Sequence, residues 1–373
     1  MRRHSHLRIL LILAAIFCLS AAAPLASTAN AQDIPGDPPS NPQATSEPPV
    51  TPPNPPGGGS VSPQSPLQRI RFEPGATNAQ VSGRLPANGV DRYVLWARAG
   101  QLMEVTLSAP AGVSLEVTRS EAPQPRPLHS ASQGFRGYLP HDGDYILKVR
   151  AGSRAADYSL LVSIPARIAF KPGATSDTVR GHLDPHESID YILRAQAGQL
   201  LEVQATPENR LQLIVYGVDG TVMRSGMGEG SSFIGELPVT QDYILTLRAG
   251  ARAVDFTLQV IIPQRIRFEP GERTAFLRGQ LDGDQTGYYV LQGQENQYLR
   301  VSVAADEAVQ LIIYGEDGTV LRSGMSAEPR FAGRLPSTQN YILALRAGPE
   351  PVDYRLWLKL RGRGIDLLGV EES

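Results

Sequence analysis

Apolar and polar side chains alternate sides along most of the chain after residue 69. The segments 191–195 (Tyr-Ile-Leu-Arg-Ala) and 243–248 (Tyr-Ile-Leu-Thr-Leu-Arg) show this pattern clearly. A period of two over five to eight residues is typical of strands with one buried face. No segment has the sustained 3.6-residue apolar stripe of a helix. The sequence therefore predicts an all-β protein.

Gly, Pro, Asp and Asn interrupt these apolar segments about every ten residues. This spacing is typical of an antiparallel sandwich or barrel. It predicts about eight strands in each structural unit.

From Ile70 onward the chain repeats itself with one unbroken period. The recurrent positions include Ile70, Ile168 and Ile266; Gly83, Gly181 and Gly279; Tyr93, Tyr191 and Tyr289; Gln101, Gln199 and Gln297; and Tyr145, Tyr243 and Tyr341. Members of each set lie 98 residues apart, which indicates that one unit was triplicated. The period exceeds the 20–50 residues of solenoid repeats and matches an autonomous domain instead.

The repeat divides the chain into predicted regions. We expect sandwich domains at 67–165, 166–263 and 264–361, and a tail at 362–373. The connectors Ile164–Arg167 and Ile262–Arg265 are short and contain proline, so little pivoting between domains is expected. Each domain should own a core, and the recurrent Phe72, Tyr93, Phe135, Tyr145 and Tyr158 positions should belong to it.

Two tight turns are predicted from residue type. One position is Gly100, Gly198 and Asn296 in the three repeats, which indicates a positive φ angle. Asp219-Gly220 and Asp317-Gly318 form a second hairpin pair. The first repeat lacks this pair and carries a proline-bearing stretch at 123–127, so its loop should differ.

The first 31 residues have the organisation of a secretory signal peptide. A basic start is followed by an apolar run at 9–23 and by the small-x-small site Ala29-Asn30-Ala31, which predicts cleavage before Gln32. An uncleaved anchor is the alternative, although Pro24 interrupts the apolar run. Cys18 is the chain's one cysteine; Phe17 precedes it where a lipoprotein signal needs a small residue, so lipidation is not favoured.

Residues 32–66 consist mainly of Pro, Gly, Ser and Gln. Such a composition cannot build a core and predicts a disordered, partly polyproline linker. Fully extended, it would reach roughly 100 Å at about 3.1 Å per residue. A plain spacer is favoured over a ligand for a proline-recognition domain.

The charge balance narrows the classes of partner. The whole chain has 35 basic and 37 acidic residues, a net charge of −2. Removal of the leader takes away Arg2, Arg3 and Arg8 and no acid, so 32 bases face 37 acids and the mature charge is −5. A mildly acidic protein predicts no nucleic-acid partner and no polybasic patch for anionic lipid.

Catalytic and metal-binding patterns are missing from the sequence. The histidines His129, His141, His182 and His186 do not recur between repeats, and no base recurs beside Ser225 or Ser323. The sequence therefore predicts no catalytic residues, no cofactor and no metal. Asp157, Asp255 and Asp353 recur once per repeat and are interpreted as turn or strand-end residues. Calcium at the Asp-Gly turns and paired hydrolytic carboxylates are the alternatives.

One shared motif offers a candidate surface. The second and third repeats contain Tyr-Gly-x-Asp-Gly-Thr-Val-x-Arg-Ser-Gly-Met, and the first repeat does not. An edge or loop surface of this motif could bind a partner, and a plain hairpin is the alternative. The candidate partner-binding residues are Tyr216, Arg224, Met227, Tyr314, Arg322 and Met325.

The second repeat resembles a known family. The stretch Asp190–Val203, the stretch Tyr216–Thr221 and the later Gly-Glu-Leu-Pro and Asp-Tyr-Ile-Leu segments resemble the bacterial pre-peptidase C-terminal domain. They are also similar to the inhibitors of goose-type lysozyme. The resemblance extends over residues 70 to about 360, once in each of the three repeats. It implies a jelly-roll-like β-sandwich outside the cytoplasm. Pre-peptidase domains usually accompany a secreted enzyme, whereas the sequence predicts no enzyme domain in these repeats. The inhibitors carry an arginine-rich last hairpin, whereas this chain has fewer arginines at 248–256.

The sequence thus predicts three tandem antiparallel β-sandwich domains in an exported, non-enzymatic protein of the periplasm or cell surface. A binding or adhesion module that contacts a protein or a cell-envelope polymer is the first hypothesis, and three copies could bind a multivalent partner with avidity. Inhibition of a goose-type lysozyme or another secreted hydrolase is the second. A hydrolase with converging carboxylates is the third.

Overall fold

The computed structural model describes residues 65–120, 128–225, 230–324 and 328–362. The predicted leader, almost all of the predicted linker and the tail beyond residue 362 lie outside these ranges. So does the proline-bearing loop of the first repeat, at 121–127.

The described residues are nearly all strand, as the alternation predicts. Each repeat contains nine strands, and one short 3-10 helix lies at Glu208–Arg210. The first repeat contains β1 (Gln68–Arg69), β2 (Asn78–Leu85), β3 (Val90–Ala97), β4 (Leu102–Ser108), β5 (Ser114–Arg119), β6 (His129–Ser132), β7 (Gly134–Tyr138), β8 (Gly143–Arg150) and β9 (Ala156–Ser163).

The second and third repeats follow the same order. The second contains β10 (Ala166–Arg167), β11 (Ser176–Leu183), β12 (Ser188–Ala195), β13 (Leu200–Thr206), β14 (Leu211–Gly217), β15 (Val222–Arg224), β16 (Ser232–Glu236), β17 (Gln241–Ala249) and β18 (Val254–Ile261). The third contains β19 (Gln264–Arg265), β20 (Thr274–Leu281), β21 (Thr286–Gly293), β22 (Tyr298–Ala305), β23 (Val309–Gly315), β24 (Val320–Ser323), β25 (Arg330–Arg334), β26 (Gln339–Ala347) and β27 (Val352–Arg361).

Each repeat is a sandwich of a five-stranded and a four-stranded sheet. In the first repeat the strand orders are β1-β3-β8-β5-β6 and β2-β9-β4-β7, and the other repeats match strand for strand. The two-residue strand that opens each repeat pairs in parallel with the third strand; all other pairs are antiparallel. This short strand explains why nine strands are present where spacing predicted about eight.

Each sandwich has its own hydrophobic core. Three separate clusters of buried residues lie within residues 70–164, 168–260 and 266–358. The predicted core tyrosines Tyr145, Tyr243 and Tyr341 are completely buried. The hydroxyl of each donates a 2.7 Å hydrogen bond to the backbone carbonyl four residues earlier, on His141, Val239 and Ser337 respectively. These contacts fix the loop that precedes β8, β17 and β26.

The recurrent glycines make room for a ring on the neighbouring strand. Gly83 is paired across the sheet with Tyr158, and Gly181 with Phe256. A Cβ atom on Gly83 would lie 2.7 Å from the Tyr158 hydroxyl, and one on Gly181 would lie 2.7 Å from the Phe256 ring. Each recurrent glycine therefore leaves the space that the aromatic ring on the neighbouring strand occupies.

The predicted turn geometry is confirmed. Gly100, Gly198 and Asn296 have φ angles of 77°, 77° and 66°. In the second turn, Gly220 and Gly318 have φ angles of 91° and 83°. The recurrent glutamine after the first turn stabilises it, since the Gln199 side-chain oxygen accepts a 2.6 Å hydrogen bond from the Gln196 N–H.

Candidate binding surfaces at the repeat faces

Consecutive repeats pack face to face. The outer side of the four-stranded sheet of one repeat lies against the outer side of the five-stranded sheet of the next. Two small apolar clusters sit between repeats, one around Leu102, Ile192 and Ile244, the other around Leu200, Ile261 and Tyr288. These clusters and the hydrogen bonds that surround them form the two repeat junctions.

Both candidate tyrosines lie in these junctions. Tyr216 packs against the first junction cluster, and its hydroxyl donates a 3.2 Å hydrogen bond to Glu104 of the first repeat. Tyr314 is buried, and its hydroxyl donates a 2.8 Å hydrogen bond to Glu202 of the second repeat. The two rings thus contact the preceding repeat.

The candidate arginines stabilise their own repeat. Arg224 Nε donates to the Leu213 carbonyl at 3.1 Å, and its Nη2 donates to the Gly230 carbonyl at 2.6 Å. Arg322 makes the equivalent contacts. Its Nε donates to the Leu311 carbonyl at 2.9 Å, and its Nη2 donates to the Glu328 carbonyl. Desolvation lowers the pKa of both guanidinium groups from their ordinary value. Each arginine therefore connects a strand to the loop after the hairpin.

Met227 and Met325 lie outside the described residues. Of the six candidate residues, the structure thus places two in the junctions and two in backbone contacts. The partner-binding role of this motif stays a prediction.

The second junction contains a buried carboxyl group. Glu202 is 4% exposed, and burial raises its pKa to about 7, opposed by the hydrogen bond from Tyr314. Beside it, Gln259 Nε2 donates a 3.2 Å hydrogen bond to the Tyr288 hydroxyl. The Tyr288 N–H donates a 2.8 Å bond to the Thr175 hydroxyl, which adds a backbone contact between the repeats.

The first junction is more polar. Asp190 is buried and accepts hydrogen bonds from Ser163 of the first repeat at 2.6 Å and from Thr246 at 2.5 Å. At the junction's edge, Asp242 accepts a 2.5 Å bond from the Tyr138 hydroxyl and a 2.8 Å bond from Arg167. Polar groups on both sides of the junction are therefore paired with each other.

The recurrent aspartates Asp157, Asp255 and Asp353 are the second residues of β9, β18 and β27. Asp157 forms an ion pair with Arg84 at 3.3 Å, and Asp255 contacts the His182 ring at 2.7 Å. Both are cross-strand pairs on an exposed face. Asp219 accepts 2.8 Å and 2.9 Å hydrogen bonds from Thr221, which uses its carboxylate within the turn.

The outer side of the third repeat's four-stranded sheet is different in composition. Outward positions of β20, β22, β25 and β27 carry seven cations and one acid, Asp353; the cations are Arg278, Arg300, Arg330, Arg334, Arg355, Lys359 and Arg361. The same positions carry Arg180 alone in the second repeat, and Arg84 and Arg136 in the first. Cations therefore gather on this sheet although the whole chain has a net charge of −2, and the expectation that the chain lacks a polybasic patch for anionic lipid stays a prediction.

Aromatic rings lie among these cations. Phe276 is 53% exposed and pairs across the sheet with the half-buried Trp357. The Arg278 guanidinium lies 5.1 Å from the Phe276 ring centre, and the Arg300 guanidinium lies 5.7 Å from the Tyr298 ring centre. We call this surface the third-repeat face and define it as Phe276, Arg278, Tyr298, Arg300, Arg355, Trp357 and Lys359.

The residues of this face replace junction residues of the other repeats. Arg300 occupies the position of Glu104 and Glu202, and Tyr298 that of Leu102 and Leu200. Lys359 stands where the second repeat has Ile261. The surface that covers a neighbour in the first two repeats is thus basic and aromatic in the third, and no described residue covers it.

The five-stranded sheet of the first repeat also departs from the junction pattern. Thr118 occupies the position of Tyr216 and Tyr314. Glu116 and Lys148 stand where the third repeat has Ile312 and Ala344, and they form a 2.7 Å ion pair. Trp96 is 54% exposed on the same side.

Within the described ranges, the structure contains no helix of the length and apolarity that a membrane crossing requires. In the same part of the chain, no three His, Cys, Asp or Glu side chains gather closely enough to hold a metal ion.

Comparison with known proteins gives matches among solved structures. No protein-family model matches the chain, and no curated protein matches it. The chain is similar to PliG of Aeromonas hydrophila, a periplasmic inhibitor of g-type lysozyme, with 27% identity over 26% of this chain and 95% of that chain and a TM-score of 0.25.

Two other solved structures are also similar to parts of the chain. PliG of Salmonella Typhimurium is 24% identical over 26% of this chain and 96% of its own, with a TM-score of 0.23. The PBSX exported protein XepA is 13% identical over 49% of this chain and 86% of its own, with a TM-score of 0.19. Each inhibitor thus matches a length of about one repeat.

Proposed function

We propose that this protein is a non-catalytic, extracytoplasmic binding module associated with a bacterial cell envelope, and that the third-repeat face is its binding surface. The single observation that supports this most strongly is the contrast between equivalent sheets. Junctions cover this sheet in the first and second repeats, whereas the third-repeat face lies open among the described residues with its cations and rings. Exposed aromatic and arginine side chains are enriched where proteins bind partners.

The junctions give this surface a fixed support. Tyr314 and Glu202 join the second and third repeats through a buried hydrogen bond, and Asp190 joins the first two through Ser163. Networks of paired buried groups favour one arrangement of neighbouring units. The junctions also cover the equivalent sheets of the first and second repeats, so we propose one binding site on the chain. Avidity from three equivalent copies is not part of the proposal.

Export supports the proposed location. The predicted signal peptide at 1–31 would direct the chain out of the cytoplasm, and the predicted linker at 32–66 would act as a spacer before the first sandwich. A binding surface at the far end of the three repeats would then be displayed away from the point where the chain emerges.

Co-sedimentation of the purified chain with bacterial envelope fractions tests the proposal. The variants Arg300→Glu and Trp357→Gln place the second repeat's residues on the third-repeat face, so the same kind of sheet should tolerate them. Arg210→Glu, an exposed charge reversal in the second repeat, is the matched control. We expect the first two variants to lose binding and the control to keep it. Equal binding by all four proteins would refute the proposed surface.

Inhibition of a goose-type lysozyme is the second candidate function. The hairpin between β17 and β18 exposes Arg248 and Arg252, and the matching hairpin of the first repeat exposes Arg150 and Arg154. These are the arginines at the place where the resemblance to the inhibitors puts an arginine-rich hairpin. A lysozyme activity assay with the chain in micromolar excess tests this role. Slower lysis that Arg248→Ala relieves would support it, and unchanged lysis would dispose of it.

A further inference from the structure

The chemistry of the third-repeat face indicates a class of ligand. We propose that this face binds a polysaccharide that carries carboxylate groups, a polymer of uronic acids. This inference rests on the proposed function, because it names the partner of the same surface.

The cations of the face are placed to bind carboxylates. Arg355 and Lys359 lie two residues to either side of Trp357 on β27, about 7 Å along the strand in each direction. Arg300 lies on the neighbouring strand, directly across from Lys359. Guanidinium groups match the planar shape of a carboxylate and can bind both oxygens. The face therefore presents separated cationic positions to a chain of repeating anions.

The ring between these cations provides a stacking surface. Trp357 lies between Arg355 and Lys359 on β27, and its cross-strand neighbours are Phe276 and Ser302. An indole face is apolar and polarisable, and it can cover the C–H side of a pyranose ring. A sugar ring stacked on Trp357 would place the acidic groups of adjacent sugars toward Arg355 on one side and Lys359 on the other. The order of cation, ring and cation thus matches a charged polysaccharide.

A surface depression borders the third-repeat face but is not part of the proposed site. It has a volume of about 660 Å³ and lies at the Arg278 and Arg355 end of the face. Asp306 and Asp353 line its far side. These carboxylates would repel an anionic polymer, so we place the bound chain from Arg355 over Trp357 to Lys359 and Arg300, outside the depression.

Single-stranded nucleic acid fits the same face less well. Binding of that kind uses successive rings on which bases stack. Here guanidinium groups already lie over Phe276 and Tyr298, at 5.1 Å and 5.7 Å from the ring centres. Trp357 is the remaining ring of the face, which favours a polymer that needs one stacking position between charges.

A second copy of the chain is also a poorer occupant. The junction tyrosines donate to Glu104 and Glu202, and Arg300 at the equivalent position cannot accept a hydrogen bond. The complementary sheet of the first repeat has Thr118 instead of the donor tyrosine. The two surfaces that a head-to-tail contact would use thus lack both halves of the junction pair.

Four probes test the ligand class with the purified full chain. Polygalacturonate is the uronic-acid polymer, and its methyl-esterified form has the same sugar rings without the charges. Polyglutamate supplies carboxylates without sugar rings, and single-stranded DNA supplies phosphates with bases. We expect polygalacturonate to bind at least about tenfold more tightly than each of the other three in calorimetry or affinity electrophoresis, since it alone offers both the ring and carboxylate contacts.

Variants assign the binding to the face. Arg300→Glu should weaken polygalacturonate binding about ten- to a hundredfold, the effect of losing one charge-assisted hydrogen bond. Trp357→Gln should remove the preference for polygalacturonate over polyglutamate, because the stacking ring is gone. Arg210→Glu, an exposed charge reversal in the second repeat, should leave the affinity within about twofold of the parent. Unfolding midpoints of the variants close to that of the parent show that the sheet is intact.

The outcomes separate this inference from the proposed function. Envelope binding that depends on Arg300, without polygalacturonate binding, would overturn the uronic-acid assignment and leave the binding function standing. Equal binding of polyglutamate or of DNA would overturn the assignment in favour of a general polyanion site. Binding that begins only after residues 363–373 are removed would assign the face to that acidic segment. If the parent chain bound neither envelope fractions nor polygalacturonate, both proposals would be refuted.

Discussion

The hydroxyl of Tyr314 donates a 2.8 Å hydrogen bond to a carboxylate oxygen of Glu202, and both side chains are almost completely shielded from water between two repeats. Burial disfavours the charged carboxylate and raises the pKa of Glu202 to about 7, while the hydrogen bond from Tyr314 opposes this rise. The junction therefore holds a proton near neutral pH that the unfolded chain would release.

This raised pKa makes the stability of the second junction depend on pH. An unfolded glutamate titrates near about 4.3, whereas Glu202 in the folded protein titrates at about 7. Between these values the folded state binds more protons, so the free energy of unfolding falls as pH rises from about 4 to 7 and levels off above. The fall due to Glu202 is of the order of 3 kcal/mol. Glu202→Gln should remove it, as urea denaturation at pH 5 and pH 8 would reveal.

Glu73→Gln, an exposed substitution in the first repeat, serves as the control for this measurement. It should leave the pH dependence of the parent in place. A Glu202→Gln variant whose stability still falls between pH 5 and pH 8 as in the parent would contradict the assignment to Glu202.

The two junction tyrosines should differ in importance. Tyr314→Phe leaves the buried Glu202 without its donor and should lower the free energy of unfolding by about 1–3 kcal/mol. Tyr216→Phe should lower it less, because Glu104 also forms an ion pair with Arg136. Chemical denaturation of the two variants compares them. Equal losses, or a larger loss for Tyr216→Phe, would show that the buried pair is not the stronger contact.

The glycine beneath the core ring should not tolerate a methyl group. Gly181→Ala would place a Cβ atom 2.7 Å from the Phe256 ring and should lower the free energy of unfolding by about 1–3 kcal/mol, a typical result of overpacking. At Gly250 the nearest atom to a Cβ lies at 3.7 Å, so Gly250→Ala serves as the matched control. Thermal denaturation should separate the two variants, and similar midpoints would argue against steric exclusion at Gly181.

The hydroxyl of Tyr243, the core tyrosine of the second repeat, should stabilise the loop before β17. Tyr243→Phe removes the 2.7 Å hydrogen bond to the Val239 carbonyl and should lower the free energy of unfolding by about 1 kcal/mol or more. Tyr298→Phe, on the outer third-repeat face, should change it by less than about 0.5 kcal/mol. Hydrogen exchange of the 237–243 segment offers a second measurement, since faster exchange in Tyr243→Phe alone would locate the effect.

Periodicity predicted the interior of each sandwich because the same physical requirement operates three times. Tyr145, Tyr243 and Tyr341 occupy one position at a constant spacing, and all three make the same backbone contact. A side chain needed inside every copy has to be present in every copy. Fold class, the core tyrosines and the positive-φ turns were therefore accessible from the sequence.

The junctions were not predicted, although the sequence contains a signal for them. The donor is Tyr216 and Tyr314 in the second and third repeats but Thr118 in the first. The acceptor is Glu104 and Glu202 in the first and second repeats but Arg300 in the third. The donor position differs only in the first repeat, and the acceptor position differs only in the third. This is expected when the acceptor side of each repeat contacts the donor side of the next. Tyr216 and Tyr314 contact the preceding repeat, a contact that their shared motif alone does not indicate.

The third-repeat face could not be predicted from the net charge or from the order of residues in the sequence. Its residues are scattered from Phe276 to Lys359, and they meet only because β20, β27, β22 and β25 lie side by side. Net charge sums the whole chain and gives no indication of where cations collect. Strand pairing and register were needed before Arg300 and Lys359 could be placed opposite each other.

The head-to-tail chemistry of the junctions has a genetic consequence. Both junctions use a glutamate on the earlier copy and a tyrosine on the later one, so loss of one 98-residue period, such as 166–263, would set Glu104 opposite Tyr314. Unequal recombination that changes the number of middle copies would therefore keep a glutamate–tyrosine pair at every junction. The divergent copies at either side, with Thr118 and Arg300, would keep their distinct surfaces through such changes.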